Sequence, residues 1–196
     1  MEIQANIKYG ALKNLVQEMA KNYSVKVGLL SNKGGSEEVS PNLDMAGLGA
    51  VQEFGARIKV TDKMRGYFAY AFGINLRKST TEIVIPARSW LQKPIERSAD
   101  LRKKIRQKAE LTKEEISLAE EFIAEYGESG ILKELAYAVA TSALEIIDEA
   151  FESSGFGEWQ PNSTLTIREK GSAMPLIDKG SHGGLRGRIT YDIEEV

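Results

Sequence analysis

The stretch Thr81-Glu-Ile-Val-Ile-Pro-Ala-Arg-Ser-Trp-Leu91 constrains this chain more than any other. Thr81 to Ile85 is β-branched apart from one carboxylate, the pattern of a short strand. Pro86 has no N–H to donate and stops the ladder. Ser89, with Gln92 three residues on, has the spacing of a capping box and predicts a helix starting at Trp90. A strand therefore turns into a helix within one short segment. Arg88 stands at the corner, where a side chain can reach outward.

The rest of the chain is read around that corner. Leu12, Val16 and Met19 make an apolar stripe that predicts an amphipathic helix over 11–22. Val25 to Leu30 alternates as a strand. The segment 31–43, rich in Gly, Ser, Glu and Pro, reads as flexible or ordered by a partner. Asp44 can cap a helix through Ala46, Leu48, Val51 and Phe54, which Gly55 would end. Ala56 to Val60 alternates as another strand. Tyr67, Phe68, Tyr70 and Phe72 lie in a mixed-period stretch, 61–78, that fits either a hairpin arm or a short helix.

Beyond the corner the pattern turns helical. Leu91, Ile95, Leu101 and Ile105 predict a helix from Trp90 to about Lys108. Its far end is basic, with Arg102, Lys103, Lys104, Arg106 and Lys108. Thr112 and Glu115 form a second capping box before an acidic helix that Gly127 and Gly130 would break. Leu132, Ala136, Val139, Ala143, Ile146 and Ala150 then predict the longest helix, about 131–152, with a seam suited to a helical neighbour. Residues 97–130 read as a helical insertion in a single domain. Residues 153–175 read as extended and flexible or partner-ordered, with a strand at Thr164 to Ile167. A glycine-rich turn, Gly180 to Gly187, precedes a last strand, Arg188 to Ile193. The expected class is α+β: a small, mostly antiparallel sheet, several amphipathic helices and extended loops.

Composition narrows the chemistry. The net charge of −2, from 26 Lys and Arg against 28 Asp and Glu, argues against a dedicated DNA-binding domain. The absence of Cys removes disulfides, thiolate nucleophiles and cysteine zinc sites. No apolar run approaches a membrane span. His182 is the only histidine. A triad with Ser181 and Asp178 has nothing behind it but composition, and triads are recognised by geometry. The glycines and Arg186 of the 180–187 turn lack the ending of a P-loop, and a strand follows where a phosphate loop needs a helix. The basic run 102–108 carries no interleaved aromatic and precedes an acidic helix, so charge pairing explains it better than nucleic acid. No cofactor or metal is expected, and no enzyme.

Three stretches, Glu53-Phe-Gly-Ala-Arg-Ile-Lys-Val60, Thr61-Asp-Lys-Met-Arg65 and Ile85-Pro-Ala-Arg-Ser-Trp-Leu91, together resemble a tailed-phage and prophage family. This is the virion-morphogenesis group of tail-completion, or head–tail joining, proteins. Its usual run is Glu-Phe-Gly, a strand, then Ile-Pro-x-Arg-Ser/Pro-Phe. Trp159-Gln-Pro-Asn-Ser-Thr-Leu-Thr-Ile, Lys170-Gly and Pro175-Leu-Ile-Asp-Lys-Gly180 are similar to the family's closing motifs. The matches are co-linear and span Val25 to Val196. Trp90 stands where the family has Phe. The turn that begins at Asp178 is longer than the family's and lacks its threonine.

The resemblance implies a structural virion protein without catalysis, a ring-forming neck subunit of tail-terminator type, expected to be hexameric. Its partners would be other copies of itself and the neighbouring neck, portal-side and tail-tube proteins. DNA would pass through the ring without sequence-specific binding, and no membrane would be involved. The place of action would be the virion neck, reached through the host cytoplasm. The alternatives are an adaptor or stopper of the same neck, a DNA-contacting packaging factor, and a prophage-borne enzyme, which the single His182 disfavours. Candidate interface or fold-defining residues are Glu53, Phe54, Gly55, Arg65, Arg88, Trp90, Asp178 and Arg186. A heterologous contact that closes into a ring needs a different patch on each side of the subunit, which oppositely charged helices would supply.

Overall fold

The computed structural model describes residues 17, 19–97, 99–100, 103–104, 113–176 and 184–196, with side chains left undescribed at 113–129 and 131. Strand β1 (Tyr23–Gly28) pairs antiparallel with β6 (Thr190–Glu195), Val25 opposite Ile193 and Val27 opposite Tyr191. Period-2 alternation puts these four side chains on one face, as the apolar pattern of both stretches predicts. That face lies against the long helix α4 (Lys113–Glu152). On the other face Lys26 pairs with Glu194 at 2.5 Å.

Between these strands come two smaller antiparallel pairs, β2 (Glu38–Ser40) with β3 (Leu43–Asp44) and β4 (Ala56–Lys59) with β5 (Glu82–Ile85). The segment 31–43 thus contains a 3-10 turn, Ser31–Lys33, and part of a small hairpin. Lys33 Nζ donates to the Tyr191 carbonyl at 2.6 Å and to Asp192 at 2.9 Å, and Glu37 pairs with Arg188. Helix α1 (Met45–Phe54) starts at Asp44, whose Oδ1 accepts from Gly47 N at 2.7 Å, and ends at Gly55, as expected. The 61–78 stretch resolves into helix α2 (Asp62–Phe72), capped by Thr61 Oγ1 on Met64 N.

Several expectations need correction. The helix predicted from Trp90 to Lys108 is broken at Arg97: α3 (Gln92–Glu96) ends there, and the described residues 99–100 and 103–104 are helical again. Arg97 leaves helical geometry at φ −68°, ψ 55°, with its guanidinium 3.9 Å from the Phe156 ring centroid and bonded to Asp100. A tertiary contact coincides with this local break in the helix. The acidic helix and the longest helix are one: α4 runs through Gly127 and Gly130 without a break. A helical glycine costs about 1 kcal/mol relative to alanine, which 40 residues of helix absorb. The segment read as a 97–130 insertion therefore ends inside a helix. Thr164 to Ile167, expected as a strand, lies in helix α5 (Thr164–Lys170). Ser163 Oγ accepts from Thr166 N at 3.2 Å, and this cap outweighs the β-branched composition. The 180–187 turn lies outside the described residues up to 183 and ends in a 3-10 turn, Arg186–Arg188.

The α4 seam is covered by the β1–β6 sheet and α3, with no second long helix against it among the described residues. Met45, Trp90, Ile147, Ala150, Phe151, Trp159 and Leu185 form the main core, and Met19, Tyr23, Leu132, Leu135 and Ala136 a second cluster one stretch along the same helix. Phe151 is fully buried, edge-on to Trp159 with ring centroids 5.5 Å apart. Phe151→Ala is expected to lower the unfolding free energy by about 3–5 kcal/mol, read from urea denaturation monitored by circular dichroism.

Candidate functional site

The corner at Pro86–Leu91 is held by a carboxylate from another element. Glu53 sits in the last turn of α1 and is only 6% exposed. Its Oε2 accepts from Trp90 N at 2.7 Å and Leu91 N at 2.9 Å. Its Oε1 accepts from Gln92 N at 3.0 Å and from Ser89 Oγ at 2.5 Å. Three successive main-chain N–H groups are thus satisfied by one side chain. These are the donors that every helix start leaves without internal partners. The expected Ser89–Gln92 capping box does not form. Ser89 Oγ accepts from Lys93 N at 3.0 Å, while the Gln92 side chain turns outward to Glu96. A charged acceptor arriving from α1 displaces the local one, because a hydrogen bond to a carboxylate is about twice as strong as one between neutral groups.

Arg88 stitches a third segment to the same place. Its main-chain N donates to the Gln52 carbonyl at 2.7 Å. Its side chain, 7% exposed, donates from Nε to the Gln160 carbonyl at 3.0 Å and from Nη2 to the Pro161 carbonyl at 3.3 Å. Burial pushes this guanidinium below its ordinary pKa. Trp159 Nε1 donates to the Ser89 carbonyl and Trp90 Nε1 to the Gly49 carbonyl. Asn162, also buried, donates to the Ser172 and Met174 carbonyls at 3.2 and 2.9 Å. Gly55 permits the close approach: at φ +73°, a Cβ there would lie 2.7 Å from the Ile85 carbonyl oxygen and 2.8 Å from Ala87 N.

The fold brings Glu53, Gly55, Arg88 and Trp90 together and leaves the other candidates elsewhere. Phe54 points away from the node and is 71% exposed. Arg65 serves its own loop, donating to the carbonyls of Leu76, Arg77 and Thr80 at 3.2, 2.7 and 2.7 Å. Arg186 reaches α4, bidentate on Asp148 at 2.5 and 2.6 Å and on Glu152 at 3.0 Å. The Asp148 bond is the first reason its pKa is raised. Lys104 pairs with Glu149 of α4 at 2.6 Å. Asp178 and His182 lie outside the described residues, as do Arg102, Arg106 and Lys108. The Trp159–Asn162 contribution to the node has one sequence signal, the Trp-x-Pro-Asn run. Asp148 and Glu152 have none beyond helical spacing from one another.

Two surface clefts flank these features. One, of about 480 Å³, lies between α4 and the Arg186–Arg188 turn and is lined by Glu145, Asp148, Glu149 and Glu152 with Lys104 and Arg186. The other, of about 270 Å³, lies beside α3, where Lys93 donates to Glu158 at 2.8 Å. That hydrogen bond, and then the charge behind it, holds Glu158 below the usual carboxylate range and raises Lys93. Among the described residues no group of three or more His, Asp or Glu is placed to hold a metal ion, and no helix is long and apolar enough to cross a membrane. No family model, curated protein or solved structure matches the chain. The node can fix three segments against one another; its polar atoms face inward onto main chain.

Glu53→Ala is expected to lower the unfolding free energy by about 3 kcal/mol, since it strands buried N–H donors, whereas Ser89→Ala is expected to cost about 1 kcal/mol. Urea titrations of the two variants give the comparison. Equal losses would mean that the carboxylate is no more than one hydrogen bond among several.

Proposed function

We propose that this chain is a structural, non-catalytic subunit of a tailed-phage or prophage virion, acting in tail completion at the head–tail junction as one member of a closed ring. One observation carries the reading. The motifs that resemble the tail-completion family are far apart in sequence, yet three of them, Glu53-Phe-Gly, Ile85-Pro-Ala-Arg-Ser-Trp and Trp159-Gln-Pro-Asn, meet in a single hydrogen-bonded node. Motifs shared for a common architecture would meet in this way, because each supplies one part of a joint.

A ring subunit must be stiff where it turns the chain and must expose unlike surfaces to its two neighbours. The node supplies stiffness. The chain also shows unlike surfaces: a carboxylate-lined cleft on α4, and a solvent-facing β4–α2–β5 unit with basic side chains. Light scattering on the purified chain, with negative-stain images of the same peak, tests the proposal. The expected result is a closed ring of about six copies, since heterologous contacts whose rotation closes give rings. A monomer that also fails to bind portal-side and tail-tube proteins in a pull-down would remove the reading. Strong salt-dependent binding of duplex DNA would replace it with a packaging role.

A further inference from the structure

Residues 56–85 leave the body at Gly55 and return at Pro86, and not one of them is buried. The unit contains β4, α2 and β5. A two-stranded sheet is marginal in water by itself. Here the register pairs Ile58 with Ile83 and Ala56 with Ile85, so one face of the pair is wholly apolar. The opposite face carries exposed Val84 beside Arg57. On α2, Tyr67, Phe68 and Phe72 pack on one another with ring centroids 5.6–6.3 Å apart, and Tyr70 stands 94% exposed. With Phe54 exposed at the base, the unit presents several large apolar and aromatic side chains to solvent, of the kind that mark a contact site. Among the described residues, neither outer edge of the β4–β5 pair is joined by another strand.

The charge says what covers it. The segment 56–85 has six Lys and Arg against two Asp and Glu, a net of +4. The whole chain is −2, so everything outside this segment is −6. The rest of the molecule thus carries an acidic excess opposite in sign to the basic excess of this segment. Its most concentrated described part is the α4 cleft, where Glu145, Asp148, Glu149 and Glu152, paired with Lys104 and Arg186, still outnumber those two cations four to two. Nucleic acid is the poorer occupant. Two of the six cations are already engaged, Arg57 with Glu82 at 3.3 Å and Arg65 on its own loop carbonyls, and the acidic body beside them repels phosphate.

We propose that residues 56–85 are an arm that docks, through Tyr67, Tyr70, Val84 and the lysines around them, on the acidic α4 side of the next copy of this chain. This rests on the ring reading and names the contact that closes it. Arm and cleft are different patches, so the contact is heterologous and repeats from copy to copy. The arm's aromatics supply the apolar anchor of the interface, and Lys59, Lys63 and Lys78 supply orientation.

The test joins two measurements on the full chain. Light scattering compares the wild type with Tyr70→Glu and Val84→Glu, both at exposed positions, with melting temperatures as the folding control. A carbodiimide, which joins lysine to carboxylate without a spacer, is then applied to a mixture of ¹⁴N- and ¹⁵N-labelled wild-type chains. The expected outcome is an oligomer that falls to a single chain in both variants with unchanged melting. Mixed-isotope cross-links are expected from Lys59, Lys63 or Lys78 to the 145–152 carboxylates. A wild-type ring that persists in both variants, or whose inter-copy cross-links avoid the arm, overturns the arm and leaves the ring standing. A wild-type monomer across the concentration range overturns the arm contact and the self-assembled ring, while the virion reading falls only if the pull-down fails as well. Duplex DNA bound by the wild type and released by Tyr70→Glu, without self-association, overturns the arm's assignment to a second copy in favour of nucleic acid.

Discussion

A buried carboxylate with four donors around it is the constraint on which the rest of this structure depends. Glu53 is tolerated inside the protein because Ser89 Oγ and the N–H groups of Trp90, Leu91 and Gln92 all point at it. Remove the donors and a charge is stranded in an apolar setting; remove the carboxylate and three main-chain groups are stranded instead. Each half of the arrangement makes the other necessary. The arrangement fixes the distance and angle between α1 and the chain after Pro86, and hence the base from which β4 and β5 leave the body. Arg88 then extends the same joint to the 159–162 segment, using main-chain carbonyls as acceptors. Trp90 and Trp159 carry it into the core through Phe151 of α4. The corner, the long helix and the segment after it are thus one mechanical unit.

Much of this was legible in local patterns and some of it was not, for identifiable reasons. The caps of α1 and the strands β1, β4, β5 and β6 follow from side chains acting on their own backbone neighbours, and such signals survive in sequence. The corner itself was legible as a strand-to-helix change. Its mechanism was not, because the cap comes from Glu53, outside the capping-box spacing. Arg97 interrupted a helix that its neighbours' periodicity would have kept continuous, where its side chain stacks on Phe156. Gly127 and Gly130 failed to end one, because their cost is small beside the packing of the rest of α4. Thr164 to Ile167 went the other way: one serine hydroxyl outweighed a run with β propensity. Of the candidate residues, Glu53, Gly55, Arg88 and Trp90 converge. Arg65 and Arg186 serve local duties that one-dimensional patterns do not encode, binding loop carbonyls and α4 carboxylates respectively.

The division of labour between body and arm is visible in burial alone. The body places its aromatics and long aliphatics inside, with Ile146, Ile147 and Phe151 of α4 lost to solvent. The arm, with comparable apolar content, buries none of its residues. A chain that can hide Phe151 but leaves Tyr70 bare is under different pressures in the two regions. In the body, packing stabilises the single chain; in the arm, the same residue types lie where only another surface can cover them.

The pairing of β1 with β6 has a consequence in time. Lys26 and Glu194 meet across a separation of 168 residues. At ribosomal speeds of about 5–20 residues per second, β1 waits on the order of ten seconds or more for its partner to be synthesised. Until then one apolar face of α4 has no sheet against it, and the high contact order of this closure makes it a late event. Folding of the main layer is thereby tied to the synthesis of β6. A nascent chain that still lacks β6 cannot present a finished body to a neighbouring molecule.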